Sequence, residues 1–128
     1  MNRRKIALSA LFVASLLIVG GTGYSLGQAQ GADPTVVAAD QYSVILENDA
    51  VRVLRSVYGP EEASEMHHHP ALVVVYLADA HVRFTGADGE SEEVQGSRGD
   101  VIWIDSTDHA VENLGEAVEV ILVEIKGH

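Results

Sequence analysis

Met66-His67-His68-His69-Pro70 runs straight into Ala71-Leu72-Val73-Val74-Val75-Tyr76-Leu77, and this stretch decides the fold. Val- and Tyr-rich residues without a helical period form strands. In an extended chain alternate side chains share a face. His67 and His69 therefore point at one spot, and His68 points away. Gly99-Asp100-Val101-Ile102-Trp103-Ile104 and then His109-Ala110-Val111-Glu112-Asn113 follow downstream. A second strand there brings His109 to the same spot. Single strand histidines are mostly surface residues or hydrogen-bonded core residues. Three at these positions agree in ligand type, alternation and spacing, and they predict one metal ion held by His67, His69 and His109.

Outward from this stretch the chain reads as strand after strand. Residues 42–46 lead into the turn Glu47-Asn48-Asp49, and residues 51–58 end at Gly59-Pro60. Residues 61–65 form an acidic loop. The apolar run 72–77 predicts a strand covered on both faces. His81-Val82-Arg83-Phe84-Thr85 alternates, Asp88-Gly89 signals a hairpin, and residues 91–94 read as a polar edge strand. Residues 96–99 turn the chain into strand 101–104. A last turn at Asn113-Leu114-Gly115-Glu116 precedes strand 118–125. No helix is predicted after the N-terminal segment. The pattern is an all-β antiparallel sandwich or barrel over residues 41–128. Residues 30–40 have no period and read as a linker or irregular lead-in.

The N-terminus has another character. Arg3-Arg4-Lys5 stands before an apolar run over residues 6–20, shorter than the roughly 20 residues of a membrane span. With small residues up to Ala29, residues 1–29 read as a secretory signal peptide cut after Ala29. The alternative is an uncleaved anchor lengthened through Leu26. Either way the domain is extracytoplasmic, periplasmic or secreted. The chain has no cysteine, which excludes a lipoprotein anchor, thiolate catalysis and cysteine zinc sites. Without Arg3, Arg4 and Lys5 the domain keeps 5 bases against 19 acids, a balance of −14. Such a surface repels nucleic acid and anionic lipid, so neither partner is expected beyond the N-terminal segment.

Three neutral imidazoles leave coordination positions open for water, dioxygen or substrate, as in catalytic sites. Asn113 or a backbone carbonyl could hold the far ring nitrogens. The other candidates have plainer readings. His68 is a surface residue unless a bulge turns it inward, His81 is exposed, and His128 is terminal. Trp103 and Tyr76 read as core rather than as a barrel mouth. Arg83 reads as solvated or ion-paired rather than as an anion holder, and Glu61, Glu62 and Glu65 as a solvated loop.

These residues resemble the cupins, small double-stranded β-helix (jelly-roll) barrels, of the single-domain quercetin-dioxygenase-like type. The family's first motif has a glycine, His-x-His, a glutamate three or four residues later, and a closing glycine. Here Gly59 stands two residues too far from His67, Val73 takes the glutamate position at the three-residue gap, and Ala80 takes the closing glycine. The second motif ends in His-x-x-x-Asn, matched by His109 and Asn113. Its opening glycine matches Gly99 with one residue missing, and its proline is replaced by Ile104 or Asp105. The likeness covers residues 42–125. It implies a divalent metal, iron(II) first, with zinc, manganese or nickel as alternatives, and an oxidoreductase of dioxygenase type acting on a small molecule. Val73 in place of a carboxylate leaves one more positive charge at the metal, which an anionic bidentate substrate would offset, against an apolar wall from Val73 and Val75. No general base stands out, so catalytic residues stay unassigned. A non-catalytic metal- or ligand-binding module is the alternative, and an isomerase would need a base that is not evident. The resemblance also implies a homodimer paired through an edge strand.

Overall fold

The computed structural model describes residues 32–127; residues 1–31, on which the expected signal or anchor segment falls, and His128 lie outside them. One helical turn, α1 (Pro34–Val37), comes first. Asp33 caps it and Pro34 opens it, a pairing that suits a helix start. The sequence gives no period here, so this turn was not expected. Nine strands follow: β1 (Tyr42–Glu47), β2 (Val51–Tyr58), β3 (His67–His69), β4 (Leu72–Tyr76), β5 (Ala80–Gly86), β6 (Ser91–Gly96), β7 (Val101–Ile104), β8 (Thr107–Asn113) and β9 (Val118–Ile125). They form two sheets, ordered β1-β2-β9-β4-β7 and β3-β8-β5-β6. Every pairing of named strands is antiparallel. Non-sequential neighbours such as β2 and β9 produce the jelly-roll winding expected from the strand count.

The two sheets enclose one core. Leu54 and Tyr58 of β2, Leu72, Val74 and Tyr76 of β4, Ile102 and Ile104 of β7, and Val118 and Leu122 of β9 come from one sheet. Val82, Val94 and Val111 come from the other. Alternation along each strand sorts these inward. Gly96 is required by close approach, since a Cβ there would stand 2.5 Å from the Tyr76 ring. Gly99 turns into β7 at φ 91°, which favours glycine.

Three expectations fail here. The outer face of β4 has no second layer among the described residues: Val73 and Val75 are half-buried and their β7 partners Trp103 and Val101 are 51% and 60% exposed. Trp103 is thus a surface residue, with its indole N–H donating to Asp105 at 2.9 Å. An apolar run does not reveal that its strand lies in a sheet with one open side. His68 is not free on the surface either. It is half-buried, and its Nδ1 meets Asp108 Oδ1 at 2.6 Å.

Candidate metal centre

β3 and β8 build the centre. His67 lies directly opposite His109, and His69 opposite Thr107. Directly opposed residues on one face bring their Cβ atoms about 5 Å apart, and His69 joins them from two residues along. The ring centroids of His67, His69 and His109 are 4.9, 4.9 and 5.2 Å apart. One nitrogen from each lies within 4.8 Å of the others, and all three residues are buried. Nitrogens bound at about 2.1 Å to one ion stand some 3 to 3.5 Å apart, so small ring rotations close the set.

The hydrogen bonds show which nitrogens are available. His67 Nδ1 is 2.7 Å from the Glu65 carbonyl. A carbonyl only accepts, so Nδ1 carries the proton and Nε2 keeps a lone pair. That Nε2 is buried without a hydrogen-bond partner. A buried nitrogen left so is costly unless something else takes its lone pair. His69 Nδ1 lies 2.7 Å from Glu124 Oε2, and Glu124 is itself buried. Burial alone would raise the Glu124 carboxyl pKa. Hydrogen bonds from His69 and from Arg52, whose Nε lies 2.9 Å from Oε1, outweigh it and hold the pKa below its ordinary value. The carboxylate therefore accepts from His69 and directs its Nε2 inward. His109 stacks on Phe84, with centroids 4.9 Å apart and planes at 26°.

Burial, then the neighbouring His69, pushes His67 down to about 4. Burial and the other histidines push His109 well below its ordinary value. Both are neutral near pH 7, the form that binds metal. Orphaned Nε2, protonated Nδ1 positions and neutral rings together fit a divalent ion.

A cavity of about 60 Å³ adjoins His69 and His109. Leu72, Val74, Val82, Phe84, Ile104 and Leu122 are among its lining residues, and Tyr42, Ser56 and Tyr58 add hydroxyls. The Tyr42 and Tyr58 hydroxyls are 2.7 Å apart. The Tyr42 ring packs 5.0 Å from His67 and 5.8 Å from His69. Burial, with Tyr58 beside it, raises Tyr42 well above its ordinary value, and burial pushes Tyr58 up to about 12. Both therefore stay protonated, and one hydroxyl donates to the other.

The structure brings together the three histidines that the sequence singled out, but their surroundings differ from those expected. The apolar wall is not Val73 and Val75, which face outward, but Leu72, Val74 and Tyr76. The inward position matching the family's glutamate is Val74, reached by the four-residue gap. Asn113 does not touch the histidines. Its amide donates to the carbonyls of Tyr58, Gly59 and Glu116, pinning the loops around β8. The backbone carbonyl, given as the alternative, does act, through Glu65. Arg83 is ion-paired with Glu112 at 2.8 Å and Glu93 at 3.4 Å. His81, paired with Glu93, stays partly exposed. Tyr42, Glu124 and Arg52 were missed, because each lies far from the histidines in sequence and no spacing rule links them.

No family model matches the chain, and no curated protein matches it. Solved structures do. A cupin domain protein from Bordetella pertussis Tohama I superposes with TM-score 0.62 at 24% identity, covering 67% of this chain and 92% of that one. This is the cupin fold. An uncharacterised conserved protein with a double-stranded β-helix domain from Klebsiella pneumoniae aligns at TM-score 0.55 and 20% identity, over 68% of this chain and 72% of that one. A cupin superfamily protein from Desulfitobacterium hafniense aligns at 0.51 and 12%, over 66% and 74%. The cupin likeness read from the two histidine motifs thus holds for the fold, and the three-histidine cluster within it fits a metal-binding cupin.

Proposed function

We propose that this is an exported cupin that binds one divalent metal through His67, His69 and His109 and acts on a small molecule as a dioxygenase-like oxidoreductase. The orphaned Nε2 of His67 beside two further imidazoles carries the reading. Iron(II) is the favoured metal, since three neutral nitrogens leave open positions for two reactants; zinc, manganese or nickel would suit the same donors. Bound there, the metal would supply Lewis acidity and redox chemistry. The chain's part is positioning. Glu65 and Glu124 fix ring orientation, the Tyr42 ring packs against His67 and His69, and Leu72, Val74 and Leu122 line the cavity with apolar surface. The basic start and the apolar run behind it support work in the periplasm or outside the cell.

The small cavity, lined among the described residues by no carboxylate or lysine, favours a second reading, a binding module without turnover. Oxygen uptake separates the two. Iron-loaded protein is offered thiols, diketones and catechols in an oxygen electrode. Uptake lost in His109→Ala supports the oxidoreductase. No uptake with any of them, while iron stays bound, leaves the binding module. The homodimer is proposed by resemblance alone, and sedimentation would test it.

A further inference from the structure

The residues ahead of α1 are tied to the metal strand twice. Ala32 bridges in parallel to His67, on the edge of β3 not taken by β8. Its carbonyl accepts the His68 N–H at 2.9 Å. Asp33 makes the second tie. Its Oδ1 caps α1, accepting the Thr35 N–H at 2.8 Å and the Thr35 hydroxyl at 2.6 Å. Its Oδ2 accepts from the Arg52 guanidinium at 2.8 Å. The Nε of that guanidinium donates to Glu124 Oε1 at 2.9 Å, and Glu124 Oε2 accepts from His69 Nδ1 at 2.7 Å. The side chains of Arg52 and Glu124 are 17% and 3% exposed.

This is one chain of alternating charge running from the start of the described residues to a ligand ring. Each link uses a different atom of its neighbour, so none can rotate without breaking another. A plain ion pair needs only Arg52 and Glu124. The third member, Asp33, is preorganised by its own cap, and the fourth is the ring whose far nitrogen faces the cluster.

We propose that Arg52 and Asp33 are positioning residues of the metal centre: the lead-in segment clasps Arg52, Arg52 fixes Glu124, and Glu124 fixes His69 with Nε2 turned to the ion. This rests on reading the three histidines as a metal site. The lead-in is then part of the site although it precedes the barrel. Linkage makes the effect mutual, so a bound ion tightens the clasp.

Cobalt(II) is the probe, titrated into the full-length protein against a chelator, with its visible absorption recorded. Arg52→Met weakens cobalt binding about 10- to 100-fold and alters the absorption band, as loss of an outer partner does. Arg52→Lys restores part of the affinity, since it keeps the charge but not the fork. Asp33→Asn keeps a capping oxygen but removes the charge facing Arg52, and weakens binding by less than Arg52→Met does. In the parent, cobalt slows exchange of the His68 amide that Ala32 accepts, and Asp33→Asn reduces that protection. Parent-like affinity and absorption in Arg52→Met and Asp33→Asn would sink the clasp. So would affinity losses that merely track the melting temperature of the metal-free variants. If Arg52→Met does not fold, Asp33→Asn decides alone. A parent that takes up no cobalt overturns the metal reading and the clasp together, whereas tight parent binding with indifferent variants overturns the clasp only.

Discussion

β1 and β3 invert the usual relation between hydropathy and burial. β1 carries Val44, Ile45 and Leu46, which are 45%, 53% and 51% exposed. β3 carries His67 and His69, which are 0% and 1% exposed. Both are edge strands. The β1–β2 register shifts between Val44 and Leu46, so alternation breaks and three apolar residues in succession stay outside. Tyr42 is the one residue of β1 that is buried. β3 keeps its alternation and turns two imidazoles into the barrel. They are tolerated there because each Nδ1 has an acceptor. Strand register and available partners, not hydropathy, decided what went inside.

The largest effect expected is on the β3 side. Replacing His67, His69 and His109 together by alanine abolishes stoichiometric metal binding, read by elemental analysis of protein purified without a histidine tag. Metal retained in that variant would remove the contrast between the strands.

Acid is the next way to break it. His67 has its folded pKa near 4 against an ordinary value of 6.5. The unfolded state therefore binds the extra proton first as pH falls. Stability of the metal-free protein should be full above about pH 6.5 and decline toward pH 4, by about 3 kcal/mol from this one group. Urea unfolding at several pH values measures it, and a flat profile over that window would show His67 to be solvated.

A carboxylate on β4 sharpens the inside-outside distinction. Val74→Glu buries an acid in the cavity and should destabilise the metal-free protein by about 3 kcal/mol, with metal recovering more stability than in the parent. Val73→Glu on the outer face should cost about 1 kcal/mol or less and leave metal binding alone. Equal effects at both positions would contradict the assigned strand faces.

The smallest effects lie within β1. Tyr42→Phe leaves the Tyr58 hydroxyl without its 2.7 Å partner and should cost about 1 to 2 kcal/mol. Ile45→Thr, on the exposed bulge, should stay within about 0.5 kcal/mol. Thermal melts of the pair test whether β1 contributes to the centre only through Tyr42.

The strand pattern made the jelly roll legible, and period-2 alternation alone put His67 and His69 on one face. His109 was singled out through its spacing in the second motif, and the structure places it directly opposite His67. The same local rule could not choose between Val73 and Val74, because it says which residues share a face but not which face is inside. Nor could it assign Trp103 to the surface or Asn113 to the loops. Those depend on which sheet a strand joins and which loops close over it.

The strands, the turns that need glycine, the acidic balance and the three candidate histidines are legible in the chain alone, since these are written in neighbouring positions. Only the tertiary structure decided that Glu124, Arg52, Asp33 and Tyr42 stand around those ligands. Barrel closure puts β9, β2, the lead-in and β1 beside β3, and contacts between residues dozens of positions apart leave no periodic trace in the chain.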